Sequence, residues 1–281
     1  MSRVSRRNPK KANCISLVLS ILVFLAALAF FVWKMFVTTP EMTTPTAPKQ
    51  DVTSSVVSKS YTVSQEEKDY LKQRFEPLLQ TNAETIGYIY IPKTLLDEPV
   101  VQTTDNATYL DKTFEGENVP LLGAVFMDTD NSKHFSDQLT WLFAHARGSL
   151  VPDHRMFKVV NYYQDQNYFN EHPYVVVETP ERKYYYEAIA DVIVPENTAF
   201  YKTAFQNEEE FQTQLQDVYK LANVKKPNVK VSAKDKYLVL STCLEEDDTM
   251  RSNLYLRQIP DRELTDFLAA HGDQLAYTPT R

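Results

Sequence analysis

Tyr237-Leu238-Val239-Leu240-Ser241-Thr242-Cys243 is an unbroken β-forming run that ends in a thiol and empties at once into the acidic turn 244–249. Strand alternation puts Tyr237, Val239, Ser241 and Cys243 on one face. Seven more segments of this kind lie upstream and downstream, at 86–92, 99–103, 123–128, 140–145, 174–179, 184–195 and 253–259. Along 184–194 the alternation sets Tyr184, Tyr186, Ala188, Ala190, Val192 and Val194 on one side and Glu187 and Asp191 on the other.

Helices are few. Ser64 and Glu67 form a capping box ahead of Tyr70, Leu71, Phe75, Leu78 and Leu79 at helical spacing, with Pro77 expected to kink or end the helix. A second capping box, Asn207 with Glu210, opens 207–223, where Phe211, Leu215, Val218, Tyr219 and Ala222 share a side. A third helical stretch is expected near 156–163. Eight short strands with so few helices predict a mainly β fold, an eight-stranded barrel whose closure removes the exposed edges. It carries an N-terminal helix and a helix before the cysteine strand.

The N-terminus differs in kind. Of 30 basic residues six fall in the first forty, which hold no acid, so the remainder sets 24 bases against 37 acids, a net charge of about −13. The uncharged run from Cys14 to Trp33 has the length of roughly twenty apolar residues that a bilayer core requires. It ends in Trp33, Lys34 and Met35 rather than at a small-residue cleavage site. The expected organisation is a cytoplasmic basic tip at 1–13, a single transmembrane anchor at 14–37, a Thr/Pro-rich extracellular linker at 38–63 and one folded domain at 64–281. An acidic exported domain repels phosphate backbones, which argues against nucleic acid and for neutral or cationic partners.

Only two cysteines occur, and Cys14 lies at the membrane boundary, so the exported part holds a lone thiol. An unpaired thiol outside the cell is a liability, and this one ends a strand that opens into polar loop. Among five histidines, His145 is delivered into the loop 146–149 by the apolar strand Trp141-Leu142-Phe143-Ala144, whereas His134, His154, His172 and His271 sit in polar or helical contexts. Arg251 precedes the last strand, where Arg251, Asn253, Tyr255 and Arg257 alternate onto one side. A fixed guanidinium can stabilise the oxyanion that forms when a thiolate attacks a carbonyl. Arg251 is the favoured candidate and Arg257 the second. No Cys/His ligand cluster and no glycine-rich phosphate loop occur, and the whole chain has five glycines, so no cofactor or metal is expected.

Leu240-Ser241-Thr242-Cys243 is similar to the Thr-Leu-x-Thr-Cys signature of sortases, with Val239 in place of the first Thr. Ile86-Gly87-Tyr88-Ile89-Tyr90-Ile91-Pro92, Pro99-Val100-Val101-Gln102, Asp105-Asn106 and Gly123-Ala124-Val125-Phe126-Met127-Asp128 follow the family's order. The domain resembles a sortase from Ser64 to Ile259, and the helix before the cysteine strand makes it most like class B. Ala144 replaces the Gly common before the histidine, and Arg251 follows Cys243 at a shorter spacing than is usual. The resemblance implies a cysteine transpeptidase with His145, Cys243 and Arg251 as its catalytic set and substrate contacts at Asn106 and Ser241. It implies cleavage of a C-terminal sorting motif on surface or pilin proteins, a thioester on Cys243, and transfer to an amine of a peptidoglycan precursor or a pilin lysine. L,D-transpeptidases also order His before Cys, but their Ser-x-Gly-Cys surroundings are missing. A membrane-tethered adhesion domain with an inert cysteine is the non-enzymatic alternative.

Overall fold

β-Branched and aromatic residues dominate nine strands in the computed structural model, which describes residues 61–147 and 153–280. The strands are β1 (Thr85–Tyr90), β2 (Asp97–Val101), β3 (Val125–Met127), β4 (Leu139–Phe143), β5 (Tyr174–Glu178), β6 (Lys183–Pro195), β7 (Val224–Lys225), β8 (Tyr237–Cys243) and β9 (Met250–Gln258). They join in the order β5-β1-β2-β3-β4-β8-β9-β6, and β6 pairs back onto β5, which closes a ring of eight. The two-residue β7 hangs on β6 outside that ring. The expected eight-stranded barrel is therefore present, with the eight expected strands in place. The segments 1–13 and 14–37 and nearly all of 38–63 lie outside the described residues. Among the described residues no helix is long and apolar enough to cross a membrane.

Two apolar layers hold the ring. Ile89, Val100, Val125, Leu142, Leu240 and Leu254 meet inside it. On its outer face Trp141, Val192, Val239 and Tyr255 pack beneath Phe211, Leu215 and Val218 of the helix before the cysteine strand, Glu208–Leu221. Asn207 caps that helix by accepting from the Glu210 N–H at 2.9 Å. The Glu210 carboxylate reaches one residue further back than a capping box requires, to the Gln206 N–H at 2.7 Å.

The other helices depart from expectation in instructive ways. In chain order the α-helices are α1 (Gln65–Thr81), α2 (Thr108–Asp111), α3 (Gln166–Glu171), α4 (Glu208–Leu221) and α5 (Asp261–His271). α1 begins at the Ser64 cap as expected but runs through Pro77 to Thr81, because Leu71 and Phe75 anchor it in the cluster of Tyr88, Tyr90 and Val176. The stretch near 156–163 is a 3₁₀ helix, Phe157–Gln164, buried nearly all round and so lacking the polar face that an amphipathic α-helix needs. α2, α3 and α5 were not expected. α5 carries Asp261 and Glu263 in its first turn after Pro260, a start signal that composition alone leaves weak.

β6 corrects the alternation reading. Its pairing with β9 shifts between Ala188 and Ala190, where Ile189 is one residue too many for the partner strand. Tyr186 and Ala188 point into the barrel, but Ala190, Val192 and Val194 point out beneath α4. Asp191 is thereby turned inward, opposite the interior Leu254, where the Ser252 hydroxyl donates to it at 3.0 Å. Burial raises its carboxyl pKa to about 7. The folded state thus holds a proton that the unfolded chain releases near pH ~4. This contribution to stability is complete below about pH 4 and is lost as pH rises to about 7. Asp191→Asn should flatten the slope of stability against pH across that window and raise stability at pH 8 by on the order of 2 kcal/mol, read from urea midpoints of both proteins.

Candidate active site

β4 and β8 are parallel neighbours with Phe143 opposite Ser241, so both chains leave the barrel at the same end. His145 lies two residues beyond Phe143 and Cys243 two beyond Ser241, which keeps the two at one level and on one face of adjacent strands. β9 runs antiparallel to β8 and brings Arg251 directly opposite Cys243. The three side chains line one cleft of about 280 Å³, together with Asn106 and Ser241. His145, Cys243, Arg251, Asn106 and Ser241 thus share this cleft, whose remaining walls include Phe126, Trp141, Phe143 and Leu110, while the second candidate arginine, Arg257, is not among them.

The backbone at the cleft floor is fixed on both sides. The Thr242 hydroxyl donates to the Ala144 carbonyl at 2.8 Å, tying the two strand ends together. From the 3₁₀ helix, Asn161 Nδ2 donates to the Cys243 carbonyl at 3.1 Å. Beside it the buried Lys158 pairs with Glu245 of the acidic turn. The Phe157 N–H donates to the His145 carbonyl at 3.1 Å.

His145 Nε2 lies 2.7 Å from the Leu110 carbonyl oxygen. A carbonyl can only accept, so Nε2 carries a proton and Nδ1 is the nitrogen left to exchange one. Cys243 is a free, half-buried thiol. The Arg251 guanidinium donates to the Asp248 carbonyl at 2.6 Å and the Met250 carbonyl at 3.0 Å, and pairs with Glu196 at 2.7 Å.

Arg257 is elsewhere. It pairs across β8 with Tyr237, at the end of the strand opposite Cys243, roughly 20 Å away at ~3.3 Å per residue. There it is bound to Asp235 at 2.8 Å and to Glu263 of α5 at 2.9 Å, a structural clasp between the barrel and the last helix.

Sequence reasoning missed Glu196, Thr198 and Tyr201, which line the cleft from the segment after β6. The antiparallel β6–β9 pairing sets Val194 opposite Arg251 and so carries this segment to the mouth. Tyr201 packs edge-on against Trp141 and Phe143, with ring centroids 5.2 and 5.8 Å away.

No family model matches the chain. Direct comparison finds sortase B of Listeria monocytogenes 30% identical over 189 residues, which cover 66% of this chain and 74% of that relative. The chain belongs to the class B sortases. The structure of a Staphylococcus aureus sortase B–substrate complex superposes with a TM-score of 0.61 at 26% identity, over 70% of this chain and 93% of the other. A sortase B complexed with triglycine matches at 0.60 and 26%, over 70% and 94%. This sortase is accordingly a cysteine transpeptidase.

The two arginines of β9 separate by experiment. Arg257→Ala should destabilise the sortase by roughly 1–3 kcal/mol through loss of a half-buried ion-pair clasp. The rate at which a methanethiosulfonate labels Cys243 should stay at the wild-type value.

Proposed function

We propose that this sortase cleaves a C-terminal sorting motif on surface proteins and transfers the new acyl end to an amine. The observation that carries the reading is the strand register that sets Cys243, His145 and Arg251 on one cleft. Cys243 Sγ attacks the backbone carbonyl carbon of the motif, and its electron pair moves onto the carbonyl oxygen. Arg251 stabilises that oxyanion, exchanging one of its present acceptors, Glu196 or a turn carbonyl, for the new charge. The C–N bond breaks as His145 Nδ1 protonates the departing amine, and a thioester remains on Cys243.

In the second half an acceptor amine attacks the thioester carbon and passes a proton to His145. The C–S bond then breaks, which regenerates the thiolate. The bond energy of the cleaved peptide is retained in the thioester, so no nucleotide is required. Asn106 and Ser241, which both line the cleft, contact the motif. The triglycine complex of a related sortase B supports a small peptide amine, as in a peptidoglycan precursor, over a pilin lysine. An anchor at 14–37 would hold the basic tip inside the cell and the catalytic domain outside, facing both substrates.

The test is a panel of sorting-motif peptides offered with triglycine, a lysine-bearing pilin segment or no acceptor, read by mass spectrometry. A thioester adduct should form on the wild type, be resolved by triglycine faster than by the lysine segment, and be absent from Cys243→Ala. Peptide cleavage by Cys243→Ala would end the proposal. His145→Ala should lower kcat/KM by about 10²–10⁴-fold at every pH, and Arg251→Lys by about 10²–10³-fold.

A further inference from the structure

Asp128, directly after β3, has no exposed surface, yet its carboxylate holds two walls of the cleft together from behind. Oδ2 accepts from Asn106 Nδ2 at 3.0 Å and from the Tyr201 hydroxyl. Oδ1 accepts from the Asp130 N–H at 2.8 Å. Its main chain is fixed as well, with the N–H donating to the Trp141 carbonyl at 3.0 Å and the carbonyl accepting from Gln102 Nε2 at 2.8 Å. The carboxylate is therefore a rigid post. The two side chains tied to it come from segments 95 residues apart in the chain.

These bonds leave the Asn106 amide one orientation. Its Oδ1 accepts from the Thr129 backbone N–H at 2.9 Å, a donor that cannot be reversed. Its Nδ2 donates to Asp128 Oδ2, which also accepts from Tyr201. The second N–H of Asn106 donates to the Tyr201 hydroxyl oxygen at 3.5 Å, a long bond that a peptide carbonyl in the cleft lined by both residues can replace. Upstream, Asp105 fixes the segment by accepting from the Thr108 and Ala107 N–H groups at 2.7 and 2.8 Å, which hold its carboxyl below the usual range. Tyr201, itself 43% exposed, is seated by the same post.

The geometry points to Asp128 as a positioning residue that presents Asn106 and Tyr201 to the sorting peptide and so sets the affinity of the cleft. This rests on the reading of Asn106 as a substrate contact. Asparagine at 128 cannot do the same work. If its oxygen stays on the Asp130 N–H, its NH₂ confronts the Asn106 NH₂. If its oxygen turns to Asn106, its NH₂ confronts the Asp130 N–H. Either way one donor is set against another.

The experiment compares wild type, Asp128→Asn, Tyr201→Phe, Asn106→Ala and the Asp128→Asn/Asn106→Ala double variant. The probe is a fluorogenic form of the panel peptide with the highest turnover, and Cys243 labelling by a methanethiosulfonate is followed in parallel. Asp128→Asn should raise KM about fivefold or more, the loss of one oriented hydrogen bond, while kcat stays within about twofold and labelling is unchanged. Tyr201→Phe should raise KM about threefold. The double variant should exceed Asn106→Ala by no more than about the threefold that Tyr201→Phe shows, less than the product of the two single effects, the signature of residues acting as one unit. If Asn106→Ala leaves KM unchanged, the substrate contact itself is wrong and the inference falls with it. If Asn106→Ala raises KM but Asp128→Asn and Tyr201→Phe do not, the contact stands and the positioning role is overturned. A fall in kcat together with slowed Cys243 labelling would mark a merely structural role and overturn it too. If Asp128→Asn does not fold, Tyr201→Phe decides alone, since it removes one hydroxyl from a partly exposed ring.

Discussion

The parallel ladder between β4 and β8, with β9 running back along β8, is the constraint on which the site depends. Parallel neighbours need a long crossover between them, and here that crossover holds the 3₁₀ helix, β5, β6 and α4. The ladder aligns the exits of two strands that lie nearly a hundred residues apart in the chain. The antiparallel β9 then starts where β8 stops, so Arg251 arrives opposite Cys243 without any designed loop. A slip of one residue in either pairing would turn one member of the trio to the wrong face. The apolar layers on both sides of β8 resist such a slip, with Leu238 and Leu240 inside the ring and Tyr237 and Val239 beneath α4.

Closure of the barrel gives that register its permanence. With β6 paired to both β5 and β9, no strand of the ring has a free edge along which it could slide or recruit a partner. The Ile189 bulge is the cost of closing it, since the long β6 must bend to serve both neighbours. The bend also places a carboxyl group inside the barrel.

Much of this was legible in the sequence because strands with one apolar face repeat with a period of two, and eight such runs stand out between polar turns. Cys243 and His145 were legible for a related reason: each terminates an apolar run, so each had to emerge at a barrel end. That both emerge at the same end is a property of strand order, which local pattern does not carry. The bulge at Ile189 left no trace because inserting a residue into an apolar stretch changes its phase but not its composition. Glu196 and Tyr201 escaped notice, and Asp128 stood out only as the end of a family-like run, for a further reason. Their importance arises only when β6 returns alongside β9 and β3 lies beside β4. Arg257 resembled Arg251 in strand position, and only the ion partners at the far end of β9 distinguish the two.

The hydrogen bond to the Cys243 carbonyl comes from Asn161 of the 3₁₀ helix, while Asn106 and Tyr201 line the cleft from other segments. The thiol-bearing strand end is thus braced by one set of residues, and the outer wall of the cleft is built by another. Substitutions in the segments bearing Asn106 and Tyr201 can therefore reshape the cleft while the bonds under Cys243 stay in place. The backbone under the thiol and the outer wall of the cleft are thus separately adjustable, and a change in one need not disturb the other.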